Sequence, residues 1–244
     1  MRSPGLDSRW FLPLFALVAI AALAVAAPQQ RMAYAASVVA ADDDNDNEEE
    51  SLDEFVDEVV DAINQFWADR FQQLGKPWRP PQFVQAPYNQ RIRSACGRSR
   101  GSDHSYCAAE ETVYIDYDSD DEESFVSLWE ADRSFVIVLT IGHEWGHHVQ
   151  TLLSIEPDQQ LSPAEQSIQS ELQADCLMGV FSKAYAKTAG WVERKDLRDA
   201  IRSVRESGDD PSEPMAEDSH GTPEQRVAAF NKGYTTADTK ACGV

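Results

Sequence analysis

One stretch, residues 134–153, reads SFVIVLTIGHEWGHHVQTLL and limits how the rest of the chain can fold. Ahead of His143 it is apolar on every side, through Phe135, Val136, Ile137, Val138, Leu139 and Ile141. A helix that is apolar nearly all round has to be buried, so other elements must wrap it. The same stretch carries His143-Glu144-Trp145-Gly146-His147. On a helix, positions i and i+4 lie one turn apart on one face. Both imidazoles can therefore approach a single metal ion, and Glu144 can reach a water held beside it. This HExxH spacing is that of a zinc hydrolase. Gly146 within a helix costs about 1 kcal/mol relative to alanine, which points to another element passing close beside the histidines. His148 faces away from them and is not expected to be a ligand.

Catalytic zinc keeps three protein ligands and one open position. A third histidine would need Gly at 150 and His at 153, whereas the chain has Gln150 and Leu153,. The other solution is a glutamate on a following helix. Ser162–Ala189 reads as that helix, with Ser162 as N-cap, Pro163 in its first turn and Glu165 completing a capping box. Glu171 and Asp175 share one face of it. Glu171 is the expected third ligand. Asp175, one turn on, is placed to accept the second ring N–H of a zinc-bound histidine, His143 for choice. Glu144 is then the general base towards the attacking water. His220 is a candidate second donor to the developing oxyanion, its plain reading being a loop histidine near a helix cap.

The remainder of the chain supplies the surroundings. Arg2 and Arg9, an apolar run over 11–27 and the small-residue sites Ala24-Val25-Ala26 and Ala33-Tyr34-Ala35 make 1–35 a secretory signal peptide or an uncleaved signal anchor,. Residues 36–50 contain DDDNDNEEE and read as an extended acidic linker,. The domain proper is 51–244. Ser51–Leu74 has one apolar helical face and ends at Gly75. Gln82–Gln85 is a short strand candidate, and 91–111 reads as a loop. Thr112–Asp118 alternates as a strand; it is either structural or the edge strand that pairs with an extended substrate. Residues 191–206 and 223–231 are further helices, with Gly233 just past the last. The fold class is α+β: mostly helical, with a small β-sheet. Four cysteines and no CxxC pair in an exported chain point to two disulfides. Sequence spacing favours Cys96–Cys107, a short local loop, and Cys176–Cys242. The formal net charge of -21 argues against nucleic acid and anionic lipid as partners,.

The combination SACG at 94–97, VYID at 113–116, HEWGHHVQ at 143–150, ELQADC at 171–176 and HGTPEQRVAAFNKGY at 220–234 resembles the bacterial neutral zinc metallopeptidases. The resemblance spans roughly 83–234. It implies a zincin-like fold, one zinc on His143, His147 and Glu171, Glu144 as catalytic acid and base, and a site role for His220. The resulting expectation is a zinc endopeptidase, secreted or anchored at the extracytoplasmic face of the membrane, acting on proteins or peptides. The alternative is a non-catalytic zinc-binding envelope protein that binds a partner.

Overall fold

In the computed structural model, residues 52–86, 91–100, 104–115, 134–213 and 215–244 are described. The signal segment, the acidic linker, residues 116–118 of the expected strand, the acidic run 119–124 and the helical pattern that begins over 125–133 lie outside them. Among the described residues, five helices and five short strands follow one another: α1 (Leu52–Gln73), β1 (Gln82–Gln85), β2 (Arg91–Ser94), β3 (Gly97–Arg100), β4 (Ser105–Cys107), β5 (Thr112–Ile115), α2 (Ser134–Leu153), α3 (Pro163–Ala189), α4 (Arg194–Glu206) and α5 (Pro223–Thr236). A single 3-10 turn, Thr239–Cys242, follows. No described helix is long and apolar enough to cross a membrane.

The apolar periodicity of α1 buries Val56, Val59, Ile63, Trp67 and Phe71 against the core, and Gly75 at φ 66 turns the chain away. As its composition demands, α2 is the central element. Phe135, Val138, Ile141, Trp145 and Val149 are all buried in the main core cluster. The Trp145 indole donates to Asn64 Oδ1 of α1 at 3.0 Å, which fixes the rotation of the two helices.

The three-stranded sheet has the order β1-β5-β4. Strand β1 runs parallel to β5, and β4 antiparallel to it. Thr112–Ile115 is thus the middle strand, hydrogen-bonded on both sides. It is not an edge strand and has no free backbone to offer a substrate; among the described residues the edges are β1 and β4. Its four residues are all buried, and alternation alone does not distinguish a central strand from an edge strand. The 91–111 segment is also more ordered than a loop. β2 and β3 form a hairpin, and the Cys96–Cys107 disulfide ties its turn to β4. With Ile92 as their one apolar side chain, RIRS and GRSR carry too little hydrophobic alternation to be read as strands.

Two close approaches between helices set the site. Gly146 of α2 faces Ala174 of α3, where a Cβ on residue 146 would come within 2.9 Å of Ala174 Cα. That contact brings the Glu171–Asp175 turn of α3 beside the histidines. Further along α3, Gly179 and Gly233 interlock it with α5. A Cβ at 233 would stand 1.8 Å from the Cys176 carbonyl oxygen, and one at 179 would stand 2.2 Å from that of Phe230. Gly233 therefore lies inside α5, which continues to Thr236 and ends on Ala237 at φ 50. It is a contact glycine, not a helix stop. Gly233→Ala should lower stability by about 3 kcal/mol, since backbone stands in the way, or roughly 6–12 °C in Tm for a domain of this size. Thermal unfolding measures this, and an unchanged Tm would refute the close approach.

Candidate metal centre

His143 and His147 project from one face of α2, with their Nε2 atoms 3.2 Å apart. From α3, Glu171 Oε2 lies 3.1 Å from His143 Nε2, and Oε1 lies 3.2 Å from His147 Nε2. Among the described residues these three form the one group of ligand type able to hold a metal ion.

The donor set fits zinc. Ligands at about 2.0–2.1 Å in a tetrahedron stand about 3.4 Å from each other, close to the separations here. The other ring nitrogens are already committed. His143 Nδ1 lies 3.0 Å from Asp175 Oδ1, and His147 Nδ1 lies 2.9 Å from Gln150 Oε1. Both partners are acceptors, so each neutral ring carries its proton on Nδ1 and turns the Nε2 lone pair inward. Three electron-pair donors then converge, and only a proton or a cation between them relieves the repulsion. Glu171 Oε2 is buried and accepts no hydrogen bond, although His143 Nε2 is near.

Electrostatics agree. Burial works against charge on His143, but Asp175 and Glu171 outweigh it and raise its pKa to about 10. Burial likewise opposes charge on His147, and Glu171 reverses the balance upward. The carboxyl of Glu171 resists burial and is held far below the usual carboxylate range by the two imidazoles. Glu144, only 6% exposed, is pushed up by burial, partly countered by His143 and His147. A buried carboxyl with a raised pKa beside a cation-seeking cluster is suited to taking and returning a proton.

Behind His143 stands an element that sequence spacing did not reveal. Asp175 is fully buried, and Arg226 of α5 clamps it with both arms of its guanidinium. Nε donates to Oδ2 and Nη2 to Oδ1, each at 2.9 Å. Nη1 donates to the Ser207 carbonyl, also at 2.9 Å. Burial would raise the pKa of Asp175, but Arg226 and then His143 hold it low. The available signal was an arginine on the apolar face of α5, whose buried positions are Arg226, Val227, Phe230 and Gly233. A buried charge on such a face needs a partner.

His220 lies outside the three-residue group. Its side chain is half exposed, with Nδ1 3.5 Å from Asp209 Oδ1. Its backbone N–H donates to Asp209 Oδ2 at 2.7 Å, and that of Gly221 does so at 2.9 Å. His148 is fully buried. Nε2–H donates to the Arg79 carbonyl at 2.6 Å, and Nδ1 accepts from the Tyr106 hydroxyl at 3.0 Å. Its task is to tie α2 to β4 and to the segment before β1.

Known proteins are similar to this chain in sequence. The uncharacterized protein YpfJ of Escherichia coli (strain K12) is 32% identical over 204 residues, covering 77% of this chain and 69% of its own. The uncharacterized proteins Rv2575 of Mycobacterium tuberculosis (strain H37Rv) and Mb2605 of Mycobacterium bovis are each 30% identical over 158 residues, 56% of this chain and 53% of theirs. No solved structure matches. A family profile matches residues 13–244, a span that includes the two histidines, Glu144, the α3 acids and Arg226, and the chain belongs to that family, described as "Putative neutral zinc metallopeptidase".

Proposed function

We propose that the protein is an extracytoplasmic zinc endopeptidase that hydrolyses peptide bonds in proteins or peptides. The observation carrying this reading is the convergence of His143 Nε2, His147 Nε2 and the Glu171 carboxylate within 3.1–3.2 Å, with the buried Glu144 next to His143 in the chain. Bound zinc would supply a Lewis acid for the scissile carbonyl and an acidified water. Glu144 accepts the proton of the attacking water as its oxygen bonds to the carbonyl carbon. It passes that proton to the amine as the C–N bond breaks. Asp175, held ionised by Arg226, fixes the ring of His143, and Gln150 fixes that of His147. His220 is the candidate donor to the oxyanion, on a loop anchored by Asp209.

Export is proposed from the basic, apolar and small-residue pattern of residues 1–35. Two disulfides, Cys96–Cys107 and Cys176–Cys242, suit an oxidising compartment,. The reading predicts about one zinc per purified chain by elemental analysis, lost in His147→Ala, together with cleavage of an unstructured peptide library by the wild type. A folded, metal-free wild type would overturn it. Zinc binding without any cleavage would favour the partner-binding alternative.

A further inference from the structure

The histidine ligands are supported differently. His143 rests on an ion pair, whereas His147 rests on a row of neutral amides whose orientations are all determined. Gln150, 7% exposed, donates from Nε2 to the Ser170 carbonyl at 2.8 Å and to Gln173 Oε1 at 3.0 Å. A backbone carbonyl can only accept, so the NH₂ of Gln150 must face α3 and its Oε1 must face His147. The Ser170 hydroxyl donates to that same Oε1 at 3.1 Å. Gln173 is determined in the same way. Its Nε2 donates to the Cys242 carbonyl at 2.9 Å, leaving Oε1 to accept from Gln150. Cys242 in turn is bonded covalently to Cys176 of α3. A row therefore runs from the C-terminal turn through Gln173 and Gln150 to His147 Nδ1.

Resting on the zinc reading above, we propose that Gln150 and Gln173 are positioning residues for the ligand His147, anchored by the disulfide-held C-terminal turn. Reversing either amide would set a donor against a donor or an acceptor against an acceptor. The anchored row thus keeps the His147 proton on Nδ1 and its Nε2 lone pair directed at the metal position. The 66-residue separation of Cys176 and Cys242 then has a purpose beyond closing a loop: it holds the carbonyl that sets the polarity of the row. Gln150, Ser170, Gln173, Cys176 and Cys242 all line one cavity of about 310 Å³. Water can enter a broken row there and replace part of what is lost.

Zinc dissociation constants, measured by competition with a chromophoric chelator, test this against metal-free melting curves. Removing a partner of this kind weakens metal binding by about 10–100-fold. Gln150→Met should weaken zinc across that range. Gln150→Glu keeps an acceptor towards His147 but sets its other carboxylate oxygen against the Ser170 carbonyl and Gln173 Oε1, so its metal-free protein should melt lower while its zinc affinity falls markedly less than that of Gln150→Met. Gln173→Leu, two hydrogen bonds from the metal ligand, and the double variant Cys176→Ser/Cys242→Ser should each lose about 10-fold, while the metal-free Gln173→Leu protein melts within a few degrees of wild type. Unchanged affinity in Gln150→Met and Gln173→Leu would overturn the proposal, as would equal loss in Gln150→Met and Gln150→Glu. Should Gln150→Met fail to fold, the Gln173→Leu result decides alone. Wild-type zinc binding and its loss in His147→Ala test the zinc reading separately. If those controls hold while the glutamine variants bind as wild type, only the positioning row is refuted.

Discussion

Glu144→Gln should keep its zinc and its fold and lose cleavage by about 10²–10⁴-fold in kcat, the range that a positioned general base contributes. The amide is nearly isosteric with the carboxyl but cannot take a proton. Glu144 sits on the buried face of α2 with 6% exposure, and burial already raises its pKa. Replacing a desolvated carboxyl by a neutral amide relieves that cost, so metal-free stability should be equal or higher. The expected split is an intact zinc stoichiometry, an equal or raised Tm and almost no product. Cleavage at the wild-type rate would remove Glu144 from the mechanism. Loss of zinc alongside activity would mean that it supports the metal position instead of the proton transfer.

Arg226→Met should be the most destabilising of the site substitutions. It leaves Asp175 fully buried with its guanidinium partner gone and only His143 to face. Removing one member of a buried ion pair typically costs about 3–5 kcal/mol, or on the order of 10 °C in Tm for about 200 residues. Zinc affinity should fall with it, because the carboxyl that orients His143 is then pushed by burial towards its neutral form. Arg226→Lys restores the charge but not the two-armed grip on both carboxylate oxygens, nor the bond to Ser207. It should recover only part of the loss. Urea unfolding of the metal-free proteins and zinc titration of each would measure both effects. Equal stability of wild type and Arg226→Met would show that Asp175 does not depend on the arginine.

The general lesson concerns which charges face the site. The stretch HGTPEQR drew attention to its histidine, yet in the fold His220 stands half exposed on a loop while Arg226 is buried at the centre. A histidine advertises chemistry by its type. An arginine on a helix reads as a solvated surface residue unless its position on the apolar face is weighed. In the sequence Gln150 serves only to exclude the glycine of a third-histidine pattern, whereas in the fold it bonds to His147 and Ser170.

What the amino-acid order determined by itself was local. The i,i+4 spacing of His143 and His147, the i,i+4 spacing of Glu171 and Asp175 and the burial of α2 follow from helical periodicity, and the cap at Ser162 follows from a side chain bonding to backbone three residues on,. The third dimension decided how those faces meet. Gly146 against Ala174 sets α3 beside α2, and Gly179 with Gly233 sets α5 against α3. Through these contacts Arg226 reaches Asp175, 51 positions away, and the Cys242 carbonyl reaches Gln173, 69 positions away. The middle place of β5 was decided in the same way, by partners on both sides. No periodicity encodes such pairings. They depend on helix separations of a few ångströms, which close packing fixes only when the whole core assembles.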